Sequence, residues 1–274
     1  MGTPSLLPEV AEADAAGEVA AVYEQIRATL GIPFVGLIYR NLAVEPGRLA
    51  SAWRQLQPFF ADPATWRAAA ELQWREGDTP PLSAVAELTS LGLDERFFDR
   101  AVATLDAYDR ANRLNLLGLT ALLLPLGWDD SAAGGGAAGA AIAGPRELLL
   151  PLLEIDALPA ADRTLLLKMS QALLPVEEPI LVPSLLRHFA LPGLLDRLWP
   201  ALRPAIASGF VAAAAEGLRG QAAAAPIPAR RSMTPIDDPL LRQTAGRFLI
   251  ATSTMVVAGS LLGTVLRTGQ PSGA

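Results

Sequence analysis

The sequence predicts an all-α protein built as two fused helical repeats, an internal pseudo-dimer with a pocket between its halves. Three observations predict it. Ala and Leu dominate, while aromatics make up only 6% of a chain that is 51% hydrophobic and 18% charged, a balance that favours helices over sheets. Apolar residues recur at spacings of three and four, the period of a helix with one buried stripe. The stretch around residues 30–58 is written twice: Pro33, Pro46, Gly47, Leu49, Trp53 and Pro58 meet Pro179, Pro192, Gly193, Leu195, Trp199 and Pro204 at one offset of 146. Repeated landmarks at a fixed offset are the signature of a duplicated unit. Like units joined in one chain pack about an approximate two-fold axis.

The predicted order is residues 1–130 as repeat 1, 131–144 as a Gly/Ala-rich linker, and 145–274 as repeat 2. After a loose lead-in, Gly17-Glu18 begins a helix through Val22, Ile26 and Leu30. Pro33, with its fixed φ and missing N–H, is expected to open the next helix. That helix should stop before Pro46. Pro46-Gly47 then starts a third helix, with Leu49, Trp53 and Leu56 on one stripe. Residues 63–76 read as a helix, Pro80-Pro81 as the start of a short one ending at Leu91, and Asp94 as the cap of a long one reaching Leu124.

In the second half, Pro151 to about Leu174 mirrors the first helix. Pro179 or Pro183 opens the next, and Pro192-Gly193 breaks it. Leu195, Leu198, Trp199 and Leu202 form the following stripe, Ala205 to Ala225 a single Ala-rich helix, and Asp237-Asp238 the cap of the last one.

Within that last helix, residues 248–266 carry no charge and hold Gly259 and Gly263 at GxxxG spacing. Length alone would allow a membrane span. The equivalent stretch of the first half carries Asp109, Arg110 and Arg113, so the segment is read as a core helix buried on all sides.

Composition also excludes. A net charge of −6 without a basic patch argues against nucleic acid as partner. Zero cysteines and a single histidine, His188, exclude disulfides, thiolate metal sites, a Cys nucleophile and a His-rich metal site. The acidic residues behind Met1 do not form a signal peptide, and a cytoplasmic location is expected. Two proline-started helices facing each other would make a pocket suited to a small anion, unless solvent or loops cap both starts.

The run Tyr23-Glu24-Gln25-Ile26-Arg27, Pro33-Phe34-Val35, Arg40, Leu42-Ala43, Pro46-Gly47 and Ala52-Trp53-Arg54 resembles the N-terminal region of group I 2-haloacid dehalogenases. Ala107-Tyr108-Asp109, Asn112, Thr120-Ala121, Pro192-Gly193-Leu194-Leu195 and Phe248-Leu249-Ile250-Ala251 continue the resemblance along nearly the whole chain. It implies hydrolysis of 2-haloalkanoic acids between the repeats, without metal or cofactor. A carboxylate activates water, which attacks the α-carbon directly and inverts it. The expected partner is a small organic acid, and a homodimer is compatible with it.

The resemblance assigns Asn112 as the water-positioning amide and Phe34 and Leu37 as pocket walls. Its general-base Asp should fall eight residues before Pro192, where this chain has Ser184. Catalytic candidates are therefore Asn112 and Ser184, and binding candidates Phe34, Leu37, Tyr39, Pro183 and His188. A hydroxyl is no general base near neutral pH. Ser184 and His188 share a helical face and could form a dyad, against the alternative of a capping serine and a satisfied histidine. Glu177 and Glu178 could reach the rim. Arg40, Arg54 and Arg187 read as surface charges, although Arg40 has some claim on a carboxylate.

Overall fold

A computed structural model describes residues 5–74, 82, 88–124, 146–175 and 177–268. The linker at 131–144 and the helix start at Pro80-Pro81 lie outside the described residues. Ten α-helices fill the described residues, without strands among them. The first set is α1 (Gly17–Leu30), α2 (Leu37–Leu42), α3 (Arg48–Ala61), α4 (Pro63–Glu71) and α5 (Glu95–Leu123). The second is α6 (Ala160–Leu173), α7 (Ser184–His188), α8 (Leu194–Ala207), α9 (Phe210–Ala224) and α10 (Pro239–Thr268).

Helix order and spacing recur. The starts Gly17, Leu37, Arg48, Pro63 and Glu95 are answered by Ala160, Ser184, Leu194, Phe210 and Pro239, at separations of 143 to 147 residues. The pairings recur as well. α1 packs on α3 as α6 packs on α8, α4 on α5 as α9 on α10, and the long α5 and α10 lie most extensively against each other. Crossing contacts are reciprocal: α2 reaches α10 and α7 reaches α5.

Local chemistry explains the elements. α3 and α8 each open after a glycine in the left-handed region, Gly47 at φ 76° and Gly193 at φ 74°, a conformation that a side chain would strain. Leu49, Ala52, Trp53, Leu56, Phe59 and Phe60 bury one face of α3. Each large apolar side chain so buried contributes roughly 1.5–3 kcal/mol before entropy is subtracted. Asp94 Oδ1 accepts from Phe97 N–H at 2.9 Å and starts α5. Asp238 Oδ1 accepts from Leu240 and Leu241 N–H and starts α10, as such side chains do for otherwise orphaned amides.

Four boundaries differ from expectation. Pro33 does not open a helix. Residues 33–36 stay non-helical and α2 begins at Leu37, because Val35 N–H donates outward to Glu12 Oε1 at 3.0 Å. In the second half Pro183, one of the two expected openers, immediately precedes α7, whereas α6 begins at Ala160 and not at Pro151. α2 and α7 are each about one turn long, and Glu12 already takes the Val35 amide, so the expected pair of open proline-started helix ends is not built. α4 ends at Glu71 rather than 76, where Arg113 Nη1 donates to Leu72 O. The helix expected over Ala205–Ala225 breaks at Gly209 (φ 79°), turning the axis by 67° between α8 and α9.

α10 is apolar enough and long enough to cross a membrane by composition, but 72% of its most apolar window is buried inside the fold. Its glycines accommodate neighbours within the chain. A Cβ at Gly259 would stand 3.3 Å from Leu185 of α7, and one at Gly263 would stand 3.5 Å from Leu105 of α5.

Candidate functional site

Where α2 and α10 meet α5 and α7, a cavity opens between the halves. Its lining has two-fold character. Phe34, Gly36, Leu37 and Ile38 answer Leu181, Pro183, Ser184 and Leu185 at a separation of 147 residues. Tyr108, Ala111, Asn112 and Asn115 of α5 answer Phe248, Ala251, Thr252 and Met255 of α10 at 140. Eight pairs thus surround one space, and the members of a pair differ in polarity. Tyr108, Asn112, Asn115 and Ser184 make the α5/α7 wall polar, while Leu37, Ile38, Phe248 and Met255 leave the α2/α10 wall apolar apart from Thr252.

On the polar wall, Asn112 Nδ2 is buried and finds no acceptor among the described residues. Such a donor is destabilising unless something bonds it. Asn115 is held by Tyr39, whose hydroxyl donates to Asn115 Oδ1 at 2.6 Å. Burial pushes the Tyr39 phenol up, so it remains a donor.

Ser184 is the first residue of α7 and caps nothing. Arg40 Nη2 donates to its Oγ at 2.7 Å. Ser184 also lies beside the Tyr108 phenol, whose hydroxyl meets His188 Nε2 at 3.0 Å. His188 Nδ1 lies 2.8 Å from Leu150 O. A carbonyl can only accept, so Nδ1 carries the proton and Nε2 accepts from Tyr108. Burial, first, brings the His188 pKa down to about 4, with Arg187 and Arg146 adding to the effect. Burial also pushes the Tyr108 phenol up, against the nearby Arg40 charge and the Ser184 hydroxyl.

Behind this relay lies an ion cluster. Glu9 Oε2 stands 2.8 Å from Arg40 Nη1, and Glu9 Oε1 2.9 Å from Arg187 Nη1. Arg187 also donates to Leu153 O and pairs with Glu154. Arg40 and Arg187 are each only 3% exposed. They are therefore not surface charges: the N-terminal strap carrying Glu9 supplies the counter-charge that makes their burial tolerable. Arg54 is exposed, as expected.

Of the sequence-predicted residues, Phe34, Leu37, Asn112, Pro183 and Ser184 line the cavity. Tyr39 and His188 stand one layer behind, the first fixing Asn115 and the second ending the relay. A Ser184–His188 dyad does not form, since Tyr108 and Leu150 occupy both ring nitrogens. Neither acid at 177–178 reaches the lining: Glu177 pairs with Arg247, and Glu178 is exposed. Asn115 falls outside the sequence-predicted set, although its place near Asn112, inside the apolar run Leu114–Leu122, marks it.

The fold and cavity define a class: all-α chains with paired helical sets around one small cavity, the arrangement that the resemblance to the group I 2-haloacid dehalogenases implied. The chain matches no family model. It is 33% identical over 126 residues to a configuration-inverting 2-haloacid dehalogenase of Alcaligenes xylosoxydans xylosoxydans, covering 44% of this chain but only 42% of that protein. It is 27% identical over 217 residues to an (R)-2-haloacid dehalogenase of Pseudomonas putida, covering 74% and 69%. A D-2-haloacid dehalogenase solved with L-LA superposes with a TM-score of 0.69 at 22% identity, over 96% of this chain and 94% of that one. A mutant solved with D-2-CPA gives 0.64 at 23%, over 98% and 96%. The chain is a relative of the 2-haloacid dehalogenases and shares their all-α fold.

Proposed function

We propose that this chain binds a small 2-substituted carboxylic acid between its halves, and that it does not perform the carboxylate-assisted hydrolysis attributed to its relatives. One observation carries the reading: among the described residues, the cavity lining holds an unbonded Asn112 amide and Ser184, but no Asp or Glu. Direct attack by water needs a base within hydrogen-bond reach. The Ser184 hydroxyl faces a phenol and a guanidinium, and neither takes its proton at neutral pH.

The polar α5/α7 wall offers hydrogen bonds to a carboxylate, and the apolar α2/α10 wall suits an alkyl or halogen substituent. Opposed walls of different polarity discriminate between the mirror images of an acid with a substituent at its α-carbon.

The test measures the melting temperature with each enantiomer of lactate and of 2-chloropropionate, together with halide release. A ligand at a hundred times its Kd adds about 2.7 kcal/mol. An upward shift that differs between enantiomers, without halide release, is expected. Sustained halide release by the unaltered chain would establish the dehalogenase reading instead, and no shift with any acid would remove the binding reading.

A further inference from the structure

Behind the cavity lies a second chamber. The two share only Phe34 and Tyr108, whose rings stack with centroids 4.3 Å apart and planes 17° from parallel. The chambers differ in character. The lining of the second includes three guanidinium side chains, Arg40, Arg100 and Arg146, and a single acid, Glu12.

That acid is already engaged. Its carboxylate takes Arg27 at 2.9 Å, Arg146 at 3.1 Å and the Val35 amide at 3.0 Å. Arg40 Nη1 is ion-paired with Glu9 Oε2 and Nη2 donates to Ser184. Its Nε–H is buried and finds no acceptor among the described residues. An unbonded guanidinium N–H is costly in a residue only 3% exposed, because water cannot replace the missing acceptor. Arg100 donates to Leu149 O, and Arg27, Arg40, Arg146 and Arg187 pair with Glu9, Glu12 and Glu154, so these five cations and three acids leave two positive charges over in a chain whose net charge is −6.

We infer that this chamber is a second anion site, in which a small monovalent anion accepts from Arg40 Nε–H and is held by the excess positive charge of Arg100 and Arg146. A low-dielectric wall behind the guanidiniums strengthens their pull on such an ion. The site rests on the geometry of this chamber alone and stands whether or not the first cavity takes an acid. Because Arg40 also holds Ser184, an ion at Nε and the polar wall of the first cavity share one side chain.

Bromide is the probe. Crystals of the full chain soaked in sodium bromide are expected to give an anomalous peak within hydrogen-bond distance of Arg40 Nε, behind the Phe34–Tyr108 pair. In solution, bromide replacing gluconate at constant ionic strength is expected to raise the melting temperature by a few degrees. Arg40→Lys keeps a cation beside Glu9 and Ser184 but deletes Nε, and should abolish that rise. Arg146→Gln alters only a half-exposed side chain and should reduce it several-fold. Bromide found only on the surface or only in the first cavity would overturn the inference. So would an equal rise in both variants.

Discussion

Arg40 Nη2 donates to Ser184 Oγ over 2.7 Å, joining residues 144 apart in sequence across the seam between the two halves. Position 184 is therefore furnished with a cation. A carboxylate placed there would pair with Arg40, which holds such a group below the usual carboxylate range and so ionised at neutral pH. Ser184→Asp is expected to fold with a stability change within about 1 kcal/mol, because the new charge is compensated where it lands. It should also gain halide release from one enantiomer of 2-chloropropionate. That activity should fade as acid titrates the new carboxylate. Chloride release measured against pH decides it, and a folded variant with no release at any pH would mean that water is not positioned by Asn112.

Glu9 is the carboxylate that Arg40 and Arg187 share. Glu9→Gln leaves the buried Arg40 with only a neutral acceptor there and Arg187 with Glu154 alone. Removing one partner of a buried ion pair costs about 3–5 kcal/mol. Glu9 is 23% exposed on its side chain, so the lower end of that range, about 3 kcal/mol, is expected from denaturant unfolding with an unchanged slope. The loss should extend to acid binding, because α2 and α7 carry both arginines and both line the cavity. A loss below about 1 kcal/mol would show that water already neutralises the pair.

How far these features could be read beforehand follows from the range of the forces involved. Capping is local, so Asp94, Asp238 and the matched Gly47 and Gly193 announced helix starts that the structure keeps. The recurring helix order was legible because prolines and glycines mark it in both sets. Its register was not. An offset of 146 sets Arg40 against Leu186, whereas the lining residues in and just before α2 and α7 pair at 147, which sets Arg40 against Arg187. The burial of both arginines depends on Glu9, in a strap with no periodicity that is tied down by long-range bonds: Leu7 N–H donates to Ile180 O, and Val10 N–H to Arg40 O. No local pattern encodes that. The non-helical run at residues 33–36 was hidden for the same reason, since its amide partner is Glu12, 23 residues away.

His188 links the relay to pH. Its pKa stands near 4 in the fold against 6.5 for a free histidine, because burial disfavours the charged ring. As pH falls, the unfolded chain takes up the proton first. Stability is therefore full above about 6.5, declines between about 6.5 and about 4, and loses nothing further from this group below that. The whole interval is worth on the order of 3 kcal/mol. In His188→Gln, the unfolding free energy should change less over that window than in the parent chain. Parallel profiles would place the acid sensitivity in the carboxylates instead.

Close packing away from the cavity also constrains the sequence. Gly118 sits in the middle of α5, where replacing glycine by alanine ordinarily stabilises a helix by about 0.5–1 kcal/mol. Here a Cβ would lie 2.5 Å from Phe60 Cζ, 2.9 Å from Phe60 Cε1 and 3.0 Å from Leu56 Cδ2. Phe60 is 1% exposed and stands edge-on to Phe59, so its ring can yield only into the small gap that it shares with Ile38, Leu42 and Leu119. Overpacking of this kind costs about 1–3 kcal/mol, which outweighs the helical gain. Gly118→Ala is therefore expected to lower stability by about 1–2 kcal/mol, the net of those two effects. Phe60→Leu removes the ring that the new methyl would strike. In the double variant the alanine should then be neutral or stabilising, and a double-mutant cycle by denaturant unfolding reads that coupling directly. An alanine that destabilises equally in the Phe60→Leu background would mean that backbone movement of α3, and not the Phe60 ring, sets the distance between α3 and α5.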